Sequence, residues 1–182
     1  VQEKNITFPT DAKLHRKIIR HCNKIVVAEG IKQRQSYRFT AKRLSLDLRF
    51  ANHPKNRKKA ANARRKLKTI AGRVVRELER VFKQTGNDNY SDKPALFNKV
   101  LSQVRNTKNK IYILHEPEVY CMSKGKEHKK YEFGSKASIA YTKNSGLIVG
   151  ALSFDKNTFD GHTLPDALDQ VETLTGKRPA VA

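Results

Sequence analysis

Apolar side chains recur every three or four residues through the first part of the chain, which is the spacing of amphipathic helices. One such helix is predicted over residues 10–30, with Thr10 as its N-cap and Gly30 as its C-terminal stop. Further helices are predicted over residues 33–50, over residues 55–86, and from Pro94 to Val104. The pattern therefore predicts three or four helices that pack through narrow aliphatic faces.

The spacing changes to that of strands after residue 110. Residues 111–114 and 119–122 are short apolar strand candidates, and residues 123–130 form a polar loop between them and the next segment. Residues 131–142 alternate, and the predicted apolar face of this half-buried strand carries Tyr131, Phe133, Ala137, Ile139 and Tyr141.

A turn and a second strand follow the alternating segment. Residues 143–146 contain Asn and Gly, which favour a tight reversal, so a hairpin is predicted. Residues 147–152 are continuously apolar, which predicts a strand covered on both faces. A final helix is predicted over residues 163–175, with Thr163 as N-cap and Asp166 in a capping box. These strands and this helix predict a piece of an α/β or α+β sheet, and with the helical first part the chain as a whole is assigned to the α+β class.

Charge divides the chain at the same place as the spacing. The 182 residues carry a formal net charge of +21, and residues 1–110 hold 29 Lys+Arg against 8 Asp+Glu, whereas residues 111–182 hold 9 of each. Such an asymmetry indicates a polyanionic partner for the first part, nucleic acid before membrane. No apolar run reaches the roughly 18–20 residues that a membrane span needs, and no secretory signal is visible.

The predicted helix over residues 55–86 concentrates this charge, because it carries no acid before Glu77. The candidate DNA-binding residues on it are Arg57, Lys58, Lys59, Arg64, Arg65, Lys68, Arg73 and Arg76. A merely solvated face is the alternative, although solvated faces usually mix charges of both signs. Phosphate contact alone accounts for the charge, so base-specific recognition is not inferred.

Candidate catalytic chemistry is sparse. The chain has no phosphate-binding Gly-rich loop, no G-x-S-x-G elbow and no H-E-x-x-H motif. The scattered donors of the second part are His115, Glu116, Glu118, His128, Asp155, Asp160 and His162. Their spacing matches no closed metal site, and surface or loop-fixing roles explain them as well. Cys22 and Cys121 are too few and too distant in sequence to form a disulfide framework, which suggests a reducing compartment.

Three long segments resemble bacterial insertion-sequence transposases of the DDE type. They are VQEKNITFPTDAKL (residues 1–14), YILHEPEVYCMSKGKEHKKYEFGSKASIA (residues 112–140) and SGLIVGALSFDKNTFDGHTLPDALDQVETLTG (residues 145–176). The resemblance covers nearly the whole chain and is weakest over residues 32–95. It implies an RNase H-like core in which three carboxylates hold two divalent metal ions, usually Mg²⁺, for phosphoryl transfer.

The same resemblance implies that the catalytic carboxylates lie outside this chain. The first would belong to an Asp-Thr-Thr directly before residues 1–4, the second would follow a strand starting at residues 179–182, and the third would lie further downstream. No catalytic or metal-binding residue is therefore expected here, and Asp11, Asp160 and Asp166 are expected to be structural. Residues 1–9 would end the first core strand, residues 10–110 would be a basic helical insertion, and residues 111–182 would be part of the core.

The resulting expectation is an internal piece of a DNA transposase that binds DNA, both transposon ends and target, and that is inactive alone. The expected location is the cytoplasm in association with the nucleoid, without membrane attachment, and the full-length protein is expected to need Mg²⁺ and able to form oligomers. Two alternatives stay open. One is a complete, non-enzymatic nucleic-acid-binding protein, and the other is a small metal-dependent nuclease that uses His115, Glu116, Asp160 and His162.

Overall fold

The chain has an α+β architecture that divides into two compact units, residues 1–117 and residues 118–182. The computed structural model describes residues 8–86, 89–90, 92–123, 130–154 and 156–179. The predicted strand end at residues 1–9 therefore lies almost entirely outside the described residues, as do His128, Asp155 and most of the predicted loop at 123–130. The first unit is helical, and the second contains the strands.

Two long helices, α1 and α3, form the centre of the first unit. Helix α1 spans Asp11–Ala28, and its predicted N-cap is confirmed because Thr10 Oγ1 accepts a hydrogen bond from the Lys13 amide at 3.3 Å. Helix α3 spans Arg57–Thr85 after a short 3₁₀ turn at Pro54–Asn56. Both helices bury one aliphatic stripe, as their 3.6-residue spacing predicts, and the two stripes pack together in a single core.

Two shorter helices complete this bundle. Helix α2 covers only Arg38–Leu46, less than the predicted 33–50. The left-handed φ of 54° at Tyr37 accounts for its later start, and residues 47–50 form turns. Helix α4 covers Asp92–Ser102 with Pro94 in its first turn, as predicted. Val104 lies beyond the end of α4 and is exposed, so its predicted place on the apolar stripe is wrong.

Residues 111–114 do not form the predicted strand. They run as an irregular segment whose Ile111, Ile113 and Leu114 are buried, and both Ile111 and Leu114 belong to the core of the helical unit. The side chain of Gln103 replaces a partner strand, because its Oε1 accepts from the Ile111 amide at 2.6 Å and its Nε2 donates to the Ile111 carbonyl at 3.2 Å. The apolar run therefore belongs to the hydrophobic core, although it is not a strand of a sheet.

The second unit contains two antiparallel strand pairs and one helix. The first pair joins β1, Tyr120–Ser123, to β2, Tyr131–Gly134. The second pair is the predicted hairpin and joins β3, Lys136–Tyr141, to β4, Ile148–Phe154. The predicted single strand from residue 131 onward is thus two strands, separated at Ser135 and paired with different neighbours.

Alternation along β3 is present, but the buried face is the opposite of the predicted one. Ile139 is 59% and Tyr141 70% exposed, whereas Lys136, Ser138 and Ala140 are half-buried. Strand β4 exposes Ile148, Ala151 and Ser153, and Ile148 is 68% exposed, so its predicted burial on both faces is wrong.

Helix α5, Asp160–Thr175, explains which face of this hairpin is covered. It packs on β3 and β4 where Gly150 leaves room, since a Cβ at Gly150 would lie 3.1 Å from Val171 Cγ2. The side chain of Gln170 also reaches the edge of β4, where it accepts from the Ala151 amide at 2.8 Å and donates to the Ala151 carbonyl at 3.1 Å. The helix approaches closely at Ala140 and Gly150, where no large side chain stands in the way.

Helix α5 begins one turn earlier than predicted. Its N-cap position is Phe159, so Thr163 is not the N-cap but lies inside the helix, where it is buried and donates to the Asp160 carbonyl at 2.9 Å. The ammonium group of Lys136 holds this start in place, because it pairs with the Asp160 carboxylate at 2.5 Å and donates to the Thr158 carbonyl. Gly176 ends the helix at a φ of 71°, as expected for a glycine C-terminal stop.

Candidate nucleic-acid interface

The basic surface of the first unit is built on α3. Its buried stripe is made of small and aliphatic residues, among them Ala60, Ala63, Leu67, Val74 and Leu78. With 3.6 residues per turn, the positions between these residues form the remaining circumference. Lys and Arg occupy most of those positions and suit a helix because their long, unbranched side chains lose little rotamer freedom in it.

All of the predicted DNA-binding residues lie on exposed positions of α3, but they do not form one line. Helical spacing places Lys58, Arg65 and Arg76 opposite the buried stripe. It places Arg57, Arg64 and Lys68 along one side of that line, and Lys59 and Arg73 along the other. The predicted set is therefore spread over the whole exposed side of the helix.

Contacts distinguish three of these residues from the rest. Lys59 pairs with Asp47, just after α2, at 2.9 Å. Lys68 lies close enough to His15 of α1 to affect its ionisation. The guanidinium of Arg76 folds back along the helix, since its Nη1 is 3.3 Å from the place where a Cβ on Gly72 would stand. Across the residues that the structure describes, Lys59 alone among the predicted set forms an ion pair within 4 Å.

Among the described residues, the two acids of α3 form no ion pair within 4 Å with the cations of its basic face. Glu77 Oε1 accepts a hydrogen bond from the backbone amide of Arg34 at 3.1 Å. Glu79 Oε1 accepts from the side-chain amide of Asn98 at 2.5 Å. Both carboxylates therefore connect α3 to neighbouring segments of the same unit, and the cations beyond them face solvent.

The predicted set leaves out three exposed cations of α3, which are Lys66, Arg80 and Lys83. Arg80 and Lys83 are exposed and continue the line of Lys58, Arg65 and Arg76 toward the end of α3. From Lys58 to Lys83 this line extends about 38 Å at 1.5 Å per residue. That length is close to one turn of B-DNA, about 34–36 Å. The helical period of the sequence is the signal that could have added Arg80 and Lys83 to the predicted set.

A buried histidine lies directly behind this surface. His15 of α1 is 5% exposed, and its Nδ1 has no hydrogen-bond partner among the described residues. Burial lowers the pKa of His15 from 6.5 to about 4; nearby Asp11 opposes the shift, whereas Lys68 and Lys110 reinforce it. The imidazole is therefore neutral at neutral pH and adds no charge to the surface. Asp11 is held at 3.1 Å by Lys110, which fits the structural role expected of it.

The scattered donors do not assemble into a metal site within the described ranges, where no three His, Cys, Asp or Glu side chains come together. His115 and Glu116 lie beside each other in the first unit, with Nε2 3.9 Å from Oε1. Asp160 and His162 belong to the second unit, where Asp160 pairs with Lys136 and the ring of His162 packs edge-on against Phe159. These residues do not fit a Mg²⁺ site, because the Asp160 carboxylate already neutralises an ammonium group.

Both cysteines are free thiols, Cys22 in the buried core and Cys121 half-buried in β1. Burial raises the pKa of Cys22 to about 12, so this thiol is chemically quiet. Within the part of the chain that the structure covers, no helix combines the length and apolarity that crossing a bilayer requires.

Comparison of the chain with known protein families, curated proteins and solved structures gave no match.

Proposed function

We propose that the first unit binds duplex DNA through the phosphate backbone, and that the chain is part of a DNA transposase of the DDE type. The observation that carries the DNA-binding proposal is the exposed face of α3, whose cations have almost no acidic partners among the described residues. The cations of this row repel one another and are screened only by solvent and counterions, so their neutralisation by phosphates with release of counterions is favourable. The sequence resemblance supports the assignment to a transposase.

The second unit has the element order that this proposal needs. A hairpin, β3 and β4, is followed by α5, which packs on both of its strands. We propose that these three elements correspond to the second and third strands and the first helix of an RNase H-like core. Lys136 and Asp160 then act as a structural pair that joins the hairpin to the helix, and the metal-binding carboxylates belong to other parts of the transposase.

Salt dependence tests the DNA-binding proposal. Fluorescence anisotropy with two labelled 30-bp duplexes of unrelated sequence should give equal affinities. If roughly 6–10 phosphates are neutralised, affinity should fall by about 10³–10⁵ between 50 and 200 mM salt. A flat salt response would sink the proposal.

Charge reversal localises the binding. The triple variant Arg64→Glu, Arg65→Glu, Lys68→Glu should bind both duplexes more weakly, and the slope of log affinity against log salt should fall by about 3. The matched control reverses Lys130, Lys143 and Lys177, three exposed cations of the near-neutral second unit. Weakening confined to one duplex sequence, or equal weakening by the control variant, would count against the α3 face.

The alternative hypothesis, a metal-dependent nuclease, predicts a different activity for the same protein. It requires Mg²⁺-dependent cleavage of DNA by this chain alone and loss of cleavage in Asp160→Ala. The proposed function requires neither, because Asp160 has a structural partner in Lys136. Cleavage that survives purification and disappears in Asp160→Ala would replace the transposase proposal with the nuclease.

A further inference from the structure

A second group of cations lies on the first unit, away from the exposed line of α3. Lys17, Arg20 and Lys24 follow one another at intervals of three and four residues on α1, so they share one side of that helix. Lys93, the second residue of α4, lies beside the same side. We call these four residues, with His21 among them, the α1/α4 basic surface.

His21 shows that the four cations are close together in space. Its ring packs edge-on against Phe97 of α4, with centroids 6.2 Å apart and an angle of 78°, so α1 and α4 are fixed to each other at this point. Partial burial and then the charges of Lys24, Lys93, Arg20 and Lys17 lower the pKa of His21. Cations from two helices therefore act on one imidazole.

These cations have no acidic partner in the part of the chain that the structure describes. None of the four lies within 4 Å of a carboxylate there, while Asp11, the acid that opens α1, is paired with Lys110. Four close positive charges without an ion-pair partner attract a polyanion for the same physical reason as the row on α3.

The two basic surfaces face different directions. Helices α1 and α3 pack against each other through their buried stripes, which include Ile18 and Leu67. Lys17, Arg20 and Lys24 lie opposite the buried stripe of α1, and Arg65 and Arg76 lie opposite that of α3. Each surface therefore points away from the α1–α3 contact. Since a helix with its side chains is about 10–12 Å across, two packed helices separate the surfaces by roughly 20 Å.

We propose that the α1/α4 basic surface binds a second DNA duplex while the exposed face of α3 binds the first. This inference rests on the proposed DNA-binding function and adds a partner to it. A short, straight duplex placed along α3 cannot also reach a surface on the far side of α1. The second surface is therefore available to another duplex, and one chain joins two DNA duplexes.

Stoichiometry tests this directly. Native mass spectrometry with a 16-bp duplex at low salt should show two duplexes on one wild-type chain. The triple variant Lys17→Glu, Arg20→Glu, Lys24→Glu should keep one duplex, and the α3 triple variant described above should also keep one. Energy transfer between donor-labelled and acceptor-labelled duplexes should rise with wild-type protein and be lost in both variants.

Failure of this inference is distinguishable from failure of the proposed function. If the α3 variant loses binding while the α1 variant still takes up every duplex that the wild type does, the second surface is wrong and the DNA-binding face on α3 stands. If neither variant differs from wild type, both proposals fall. Binding of the α1/α4 basic surface to anionic phospholipid vesicles, abolished in the α1 variant, with no second duplex bound would also overturn the inference.

Two further measurements guard against a folding artefact. The neutralising pair Lys24→Gln and Lys93→Gln removes both charges without introducing acids and should weaken the second binding event selectively. In the wild type, phosphates placed next to His21 should raise its pKa by about one unit or more on saturation with DNA, as read by NMR of the imidazole protons. An unchanged His21 titration would contradict the proposed contact.

Discussion

Acidification should destabilise the helical unit through a single buried imidazole, His15. In the unfolded chain His15 titrates near its ordinary pKa of 6.5, whereas in the folded chain burial holds its pKa at about 4. Between these values the unfolded state binds a proton that the folded state cannot accept. The part of the stability that depends on neutral His15 is therefore fully present above pH 6.5 and is lost as the pH falls toward 4.

The magnitude follows from the two pKa values. A shift of one unit corresponds to 1.36 kcal/mol, so the full loss below pH 4 is about 3 kcal/mol, and the part reached at pH 5 is about 2 kcal/mol. The figure applies to a group that is 5% exposed, so solvent screening reduces it little. A loss of 2 kcal/mol is large against the typical total stability of about 5–15 kcal/mol.

The assay is urea unfolding followed by the helical signal in circular dichroism, at pH 7.5 and pH 5.0 and constant ionic strength. Carboxylates also begin to titrate in this range, so the informative quantity is the difference between wild type and His15→Met. Methionine is close to histidine in volume and cannot be protonated. The variant should lose about 2 kcal/mol less than the wild type on acidification, and His162→Gln, at an exposed position, should behave like the wild type.

Equal losses in the wild type and in His15→Met would refute the reasoning. So would an imidazole resonance of His15 that titrates near pH 6.5 in the folded protein. Because the Nδ1 atom of His15 has no hydrogen-bond partner among the described residues, we also expect His15→Met to be at least as stable as the wild type at pH 7.5.

Three further predictions test the packing. Gly72→Ala should stabilise α3 by about 0.5–1 kcal/mol, because the side chain of Arg76 that must move aside is flexible; destabilisation in urea unfolding would show that it cannot move. Gln103→Leu should lower the free energy of unfolding by about 2–4 kcal/mol, because it leaves two buried backbone groups without hydrogen-bond partners. Gln170→Leu should lower it by only about 1 kcal/mol, because the backbone groups of Ala151 are exposed to water. Equal losses in the two variants would contradict this contrast. Gly150→Val should destabilise the second unit by about 1–3 kcal/mol through overpacking against α5, and unchanged thermal unfolding would exclude that contact.

The helices of the first unit were the most predictable part of the fold. Their apolar residues return with the helical period, and local signals such as Thr10 and Gly30 mark the ends of α1. The density of basic residues on α3 was equally visible, because side chains on that helix are ordered by the same period. Each of these features depends on residues within one or two helical turns.

The strands were harder because their burial depends on distant partners. Alternation in β3 showed that two faces exist, but the packing of α5 on the side of Ala140 and Gly150 decided which one is covered. Ile111 and its neighbours looked like a strand because an apolar run has no period of its own. The amide of Gln103, eight residues earlier, made a strand partner unnecessary.

The sequence by itself determined the helical period of α1 and α3, the concentration of positive charge on the first unit and the turn of the hairpin. Tertiary structure alone decided that Lys93 joins the cations of α1, that His15 is buried behind Lys68, and that the apolar face of β3 stays exposed. The physical reason is range. Periodicity and charge are properties of residues that are close in sequence, whereas the burial of a side chain and the identity of its spatial neighbours depend on contacts between segments that are far apart in the chain.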